Sequence, residues 1–204
     1  EKGAKLIFLE PNEEGLITPE SFKEALNDKV KIVAMAEVSN VLGNRQDIET
    51  FVKLTHEKNA IFVCDGAQSV PHRKVDVQEM DVDFLAFSGH KVYGPMGIGA
   101  VYGKKELLEK MPPFLFGGEM IEYVTKEDAT WAELPHKFEA GTVNVGGAVG
   151  LAAAIHYVEK LGFSFIEERE KELSVYLMEG MREIPHVHIL GSEKGENHHG
   201  IMTF

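Results

Sequence analysis

Residues 61–68 read Ile-Phe-Val-Cys-Asp-Gly-Ala-Gln, and residues 84–91 read Phe-Leu-Ala-Phe-Ser-Gly-His-Lys. Each stretch is the end of a short apolar run that passes directly into small and polar residues. Short apolar runs bounded by such residues are typical of strands that are buried on both faces, as in a parallel sheet. The sequence therefore predicts two buried strands, at residues 60–64 and 82–87.

Strand and helix patterns alternate on either side of these two runs. Further strands are predicted at residues 30–36 and 97–102. Helices are predicted from an N-terminal Thr18-Pro19 signal and at residues 47–58, 105–110, 148–161 and 163–184. This alternation predicts an α/β fold with a mainly parallel central sheet.

Apolar runs also lie near both ends of the sequence. Leu-Ile-Phe-Leu at residues 6–9 predicts a buried strand, and residues 187–190 and 200–204 predict two more, which would open a smaller α+β region. Because a domain rarely ends on an apolar strand, we expect the chain to be an internal piece of a longer protein.

Composition excludes several classes of protein. The 204 residues include 21 Lys and Arg against 33 Asp and Glu, a net charge of −12, which argues against nucleic acid or an anionic membrane as partner. No apolar run reaches the roughly 20 residues that a membrane span needs. A single cysteine, Cys64, excludes an intramolecular disulfide and favours a cytoplasmic location.

Polar side chains follow three of the predicted strands, at residues 39–40, 65–68 and 88–91. Ligands of open α/β sheets bind beyond the carboxyl ends of the strands, so these groups are expected to converge. Lys91 is a candidate Schiff-base nucleophile, and Asp65 could hold a protonated pyridine nitrogen. Taken singly, such a lysine is more often solvated and such an aspartate more often caps a turn. Together they point to pyridoxal phosphate chemistry.

Longer motifs carry a family resemblance. They are Phe-Val-Cys-Asp-Gly-Ala-Gln-Ser at 62–69, Phe-Ser-Gly-His-Lys-Val-Tyr-Gly-Pro-Met-Gly-Ile-Gly at 87–99 and Phe-Glu-Ala-Gly-Thr-Val-Asn at 138–144. The chain resembles the class V aminotransferases, which are fold-type I pyridoxal phosphate enzymes, and is most similar to SufS-type (group II) cysteine desulfurases. The resemblance implies an aspartate aminotransferase-like fold. Residues 1–162 would be the middle part of the large domain that binds pyridoxal phosphate, and 163–204 the beginning of an incomplete small C-terminal domain.

The resemblance implies a role for each residue around the cofactor ring. Lys91 would attach the cofactor and move the substrate's α-proton. Asp65 would bind the pyridine nitrogen, Gln68 the phenolic oxygen, and Ala67 would pack on one face of the ring.

Four further roles follow from the same resemblance. Ser88 and His90 would hold the phosphate, and Thr142 would reach the phosphate of the partner subunit, which implies a homodimer with a composite site. Asn40 would face the carboxylate of the substrate.

The implied activity is cysteine desulfuration. L-cysteine would become L-alanine while its sulfur passes to an enzyme cysteine as a persulfide, for iron–sulfur cluster assembly through a possible sulfur-acceptor protein. Cys64 is expected to pack in the core, because it precedes Asp65 and neighbouring strand residues point to opposite faces. The resemblance places the nucleophilic cysteine, the carboxylate-binding arginine and the ring-stacking histidine outside these residues, so this chain alone is expected to be inactive.

Alternatives to this activity remain open. They are a selenocysteine lyase, another class V aminotransferase or lyase, and a catalytically inactive piece of such an enzyme. No metal is expected, because the histidines lack zinc-site spacing. His198 and His199 are predicted to lie in a polar turn, and the glutamates of residues 167–172 on the wet face of a helix.

Overall fold

The central feature of the computed structural model, which describes residues 3–204, is a four-stranded sheet. Its strands are β1 (Ile32–Ala36), β2 (Ile61–Asp65), β3 (Phe84–Ser88) and β4 (Gly99–Gly103), in the order β1-β2-β3-β4. The first three strands are parallel, and β4 is antiparallel to β3. This confirms the predicted α/β fold with a mainly parallel sheet.

Six helices and a small hairpin accompany the sheet. The helices are α1 (Pro19–Ala25), α2 (Ile48–His56), α3 (Val77–Met80), α4 (Lys105–Lys110), α5 (Val145–Leu161) and α6 (Phe163–Arg182), and the hairpin consists of β5 (Ile121–Val124) and β6 (Ala129–Trp131). Local chemistry explains several helix starts. Thr18 accepts a hydrogen bond from the Ser21 N–H at the start of α1, and the Asn144 side chain accepts one from the Gly147 N–H at the start of α5.

The two faces of the sheet have opposite environments. Phe62, Cys64 and Leu85 point to one face, where they are buried in the main apolar core against α2. Ile32 and Val101 lie on the other face with 63% and 69% of their surface exposed. The side chains of residue pairs in register share a face, so the register places Asp65 on this second, open face.

The predictions of strands at residues 6–9, 187–190 and 200–204 were wrong. All three segments are irregular, and Leu6 and Phe8 are 75% and 85% exposed. A strand needs a pairing partner, and none of these three segments pairs with an edge of the four-stranded sheet. A single backbone hydrogen bond, from Leu190 N to Thr203 O at 2.9 Å, joins the last two segments.

Helices α5 and α6 follow each other closely and are bent by 75° at the break. Within the described residues, no single helix has both the length and the apolar character to cross a membrane, and α5 and α6 meet that test only when they are counted as one bent pair.

Candidate active site

Asp65 ends β2 with its side chain directed away from the core. Its Oδ1 accepts a hydrogen bond from the Ala67 N–H at 2.9 Å, which turns the chain sharply after the strand. Its backbone carbonyl accepts one from the Glu37 N–H at 3.0 Å, and Gly66 N donates to Ala86 O at 2.9 Å. Hydrogen bonds to β3 and to the residue after β1 therefore fix the backbone at Asp65.

A cavity of about 410 Å³ lies beside Asp65 at the carboxyl ends of β2 and β3. It is lined by Asp65, Ala67, Ala86, Phe87, Ser88, Gly99, Ala100 and Val101. Three of the residues predicted for the site, Asp65, Ala67 and Ser88, therefore share one cavity. Its volume is in the range typical of small-molecule sites.

The turn that carries Lys91 follows β3 directly. Residues Gly89–Val92 form a 3₁₀ turn in which Lys91 is half-buried and His90 is exposed. Gly89 is required there, because a Cβ atom would lie 2.8 Å from Ile98 Cγ2 and 2.9 Å from its carbonyl oxygen. The buried side chain of Val92 anchors the other end of the turn.

Five of the eight predicted residues lie outside the lining of this cavity, namely Lys91 and His90 of the turn after β3 and three others. Gln68 is half-buried in the turn after Asp65, Asn40 is exposed on the loop after β1, and Thr142 is exposed just before α5. Their roles, like those of the residues in the cavity, stay predictions.

Cys64 lies on the face of the sheet opposite to Asp65. Its side chain is fully buried, and burial, assisted by the charge of Glu37, raises the pKa of the thiol to about 12. The prediction that Cys64 is a core residue is confirmed. A thiol in this state is not available as a nucleophile.

A buried carboxylate that sequence reasoning missed lies just after β1. Glu37 is completely buried and accepts hydrogen bonds from Arg45 Nε at 3.0 Å and from Arg73. Burial alone would lower the pKa of Arg45, but Glu37 and Glu49 together raise it. Arg73 thus ties the segment after β1 to the turn after β2, while Arg45 joins Glu37 to Glu49 of α2.

Two predictions about the C-terminal part of the chain need correction at single residues. His198 and His199 lie in a bent segment, as predicted, but the His198 side chain is buried, with 2% of its surface exposed. The glutamates at 167, 168 and 172 are exposed on α6, as predicted. Glu170 does not belong wholly to the wet face of α6, because its Oε1 lies 2.5 Å from His72 Nδ1 and its side chain is 23% exposed. The chain folds back on these groups from distant positions, which helical periodicity cannot reveal.

The donor set around the cavity fits pyridoxal phosphate. An exposed carboxylate, a hydroxyl and a nearby amine are the groups that its ring nitrogen, phosphate and aldehyde require. The small side chains of Ala67 and Ala86, and the absence of one at Gly99, leave room for a flat ring over the sheet. At Gly99 a Cβ atom would lie 2.5 Å from Phe87 O, so only glycine fits there.

Curated relatives match along the whole chain. A "Probable cysteine desulfurase" of Staphylococcus epidermidis is 51% identical over 203 residues, which is 100% of this chain and 49% of that protein. A protein of the same description from Staphylococcus aureus is 49% identical with the same coverage. The chain therefore spans about half the length of the curated relatives it matches.

Solved structures and a family profile agree with these relatives. The apo cysteine desulfurase of Thermococcus onnurineus superposes with a TM-score of 0.91 at 40% identity, over 97% of this chain and 49% of that one. The cysteine desulfurase CsdA of Escherichia coli gives 0.83 at 36% identity, over 86% and 44%. The family profile described as "Aminotransferase class-V" matches residues 1–204. The chain belongs to the class V aminotransferase family.

Proposed function

We propose that this chain is part of a pyridoxal phosphate-dependent cysteine desulfurase, which converts L-cysteine to L-alanine and transfers the sulfur to an enzyme cysteine. The observation that carries the proposal is the cavity in which Asp65, Ala67 and Ser88 converge, one turn from Lys91. The names of relatives about 50% identical to the chain support the choice of substrate.

Bound pyridoxal phosphate supplies an electron sink for the negative charge that develops at the substrate's Cα. Asp65 binds the pyridine nitrogen and keeps it protonated, while Gln68 donates to the phenolic oxygen and Ala67 packs on the ring. Lys91 would be the point of covalent attachment, and once the substrate's amine has displaced it, its free amine would accept the proton from the substrate's Cα.

The phosphate and the substrate carboxylate engage a second group of residues. The Ser88 hydroxyl and the His90 ring bind the phosphate, and Asn40 donates its side-chain amide to the carboxylate of L-cysteine. Thr142, which is exposed before α5, reaches the phosphate held by a second copy of the chain. The proposal therefore includes a homodimer with a shared site.

The sulfur step requires a thiolate that reaches the cavity. Cys64 is the one cysteine of the sequence, and it is buried on the opposite face of the sheet with a strongly raised pKa. We therefore assign the persulfide-forming cysteine to sequence outside these residues. The proposed destination of the sulfur is a cytoplasmic acceptor protein and iron–sulfur cluster assembly.

Visible absorption of the purified protein with added pyridoxal phosphate tests the cofactor assignment. We expect a yellow band that Lys91→Ala abolishes, whereas Lys105→Ala, an exposed lysine on α4, leaves it unchanged. A band that persists in Lys91→Ala refutes the assignment of the attachment lysine.

Product analysis with the loaded, gene-encoded full-length protein then tests the substrate. L-cysteine is expected to yield alanine and an enzyme persulfide, and an added dithiol reductant should release the persulfide's outer sulfur as sulfide. Turnover of L-selenocysteine without turnover of L-cysteine would favour the selenocysteine lyase alternative. Absence of turnover with either amino acid, despite a normal absorption band, would favour another class V reaction or an inactive protein.

A further inference from the structure

The loop that carries Asn40 is held by the C-terminal segment of the chain. We call residues 39–44 the Asn40 loop and residues 198–203 the clamp segment. Three consecutive carbonyl groups of the loop accept hydrogen bonds from the clamp segment. Val41 O accepts from Thr203 Oγ1, Leu42 O lies 2.8 Å from His198 Nδ1, and Gly43 O accepts from the backbone N–H of the residue after His198 at 2.9 Å.

Several backbone N–H groups of the loop bond within the loop, which leaves the carbonyls of residues 41–43 for the clamp segment. Ser39 Oγ accepts from Val41 N at 3.2 Å and from Leu42 N at 3.1 Å, and Gly43 N donates to Ser39 O at 3.0 Å. Gly43 has a φ of +69°, and a Cβ atom there would lie 2.5 Å from Ile201 O. Loop and clamp segment therefore approach so closely that only glycine fits between them.

His198 lies between two backbone carbonyl groups. Its Nδ1 lies 2.8 Å from Leu42 O, its Nε2 lies 2.8 Å from Ser192 O, and only 2% of its surface is exposed. The buried ring therefore bridges the Asn40 loop and residue 192. The backbone carbonyl of His198 accepts from Ser174 Oγ of α6 at 3.1 Å.

Helix α6 links the clamp segment to the second loop of the site. Glu170 of α6 lies 2.5 Å from His72 Nδ1, and a Cβ atom at Gly200 would lie 3.3 Å from the Glu170 carboxyl carbon. His72 belongs to the turn that follows Asp65 at the end of β2. One helix face therefore fixes both the Asn40 loop and the turn after β2.

We propose that the clamp segment, through His198 and Thr203, positions Asn40 for the carboxylate of the amino-acid substrate. This inference rests on the proposed function and on the role assigned there to Asn40. His198 and Thr203 are positioning residues, since their bonds end on the Val41 and Leu42 carbonyls. Weakening the clamp segment would loosen substrate binding while leaving Lys91 and the cofactor in place.

Two variants at position 203 distinguish the effect of the Thr203 hydroxyl from the effect of the side chain's volume. Thr203→Val removes the donor and keeps the volume, whereas Thr203→Ser keeps the donor. In the loaded full-length enzyme, we expect Thr203→Val to raise KM for L-cysteine about fivefold, the equivalent of one hydrogen bond, with little change in kcat. Thr203→Ser should restore KM. Equal KM values for both variants and the unsubstituted enzyme would overturn the proposal.

His198→Ala should give a larger increase in KM, because it removes a buried ring that contacts both Leu42 O and Ser192 O. His188→Ala, at an exposed histidine, is its control. If the unsubstituted enzyme does not turn over L-cysteine, the proposed function fails. The dissociation constant for L-alanine, read from the absorption change of the loaded enzyme, then replaces KM and decides the positioning role by itself.

Hydrogen–deuterium exchange tests the clamp segment without any reaction. The amides of the Asn40 loop should exchange about fivefold faster in Thr203→Val than in Thr203→Ser, while those of β2 exchange at the same rate in both. Unchanged exchange in the loop would refute the clamp. Faster exchange with an unchanged KM or dissociation constant would refute the role in substrate positioning.

Discussion

Replacing Asp83 by asparagine should weaken the fold by an amount that the hydrogen bonds of Asp83 define. Its nearly buried carboxylate lies between β2 and β3: Oδ2 accepts from Phe62 N at 2.7 Å and lies 2.9 Å from His56 Nε2, while Lys104 Nζ lies 3.0 Å from Oδ1. Asp83→Asn keeps the shape but removes the charge and turns an NH₂ group toward one of these donors. We expect a loss of about 2–3 kcal/mol in the free energy of unfolding at pH 7, the range for a hydrogen bond to a buried charge.

The pH dependence of this loss has a defined sign. Burial alone would raise the pKa of Asp83, but the bonds from Phe62, His56 and Lys104 outweigh it and lower the pKa below its ordinary value. A carboxylate with a lowered pKa in the folded state stabilises the fold above its unfolded pKa, about 4, and loses that contribution as the pH falls through the folded value. The difference between Asp83→Asn and the unsubstituted chain should therefore shrink below about pH 4.

Urea unfolding followed by circular dichroism at several pH values measures both effects. The matched control is Asp81→Asn, because Asp81 also contacts Lys104 Nζ, at 2.6 Å, but is 62% exposed. Its backbone has a φ of +51°, which asparagine tolerates well. We expect the control to cost less than about 1 kcal/mol. An Asp83→Asn loss no greater than the control's, or one that grows in acid, would refute the reasoning.

Two further predictions concern the opposite faces of the sheet. In the full-length protein, Cys64→Ala should leave the proposed desulfurase activity unchanged, because the Cys64 thiol is buried away from the cavity. In this chain, iodoacetamide should label Cys64 at neutral pH only after unfolding, because the thiol is buried and its pKa is raised to about 12. Rapid labelling of the folded chain would contradict this. Gly89→Ala should reduce loading with pyridoxal phosphate, because the new methyl group meets Ile98 at 2.8 Å beneath the turn that carries Lys91. Gly118→Ala, which meets nothing within 4 Å, is its control, and equal loading of the two variants would show that the turn tolerates the contact.

Local sequence signals predicted the parts of the fold that depend on neighbouring residues. The Thr18 cap, the apolar run that ends at Asp65 and the alternation of Cys64 with Asp65 are all short-range features, and the structure contains each of them. The cavity could be expected because parallel strands bring their carboxyl ends to one edge. The β5–β6 hairpin was missed because its strands have four and three residues, and much of their surface is exposed.

Features that depend on distant pairing could not be predicted from one sequence. The run at residues 6–9 has the composition of a buried strand, yet burial requires a neighbour that periodicity does not identify. His198 is the reverse case, since a histidine beside polar residues suggests solvent. Its ring contacts the carbonyl oxygens of Leu42 and Ser192, and the contact with Leu42 joins residues 156 positions apart in the chain. Composition contains no trace of such a contact.

The alternation along β2 links the stability of the sheet to the direction of the Asp65 carboxylate. If β2 shifted by one residue in its pairing with β1 and β3, Asp65 would point into the apolar core and Cys64 would point toward the cavity. Burying an unpaired carboxylate there would cost several kcal/mol, and exposing the apolar face of β2 would add to that loss. The apolar core formed by Phe62, Cys64 and Leu85 therefore does more than stabilise the fold. It fixes the strand register, and the register alone decides that a carboxylate rather than a thiol faces the proposed cofactor.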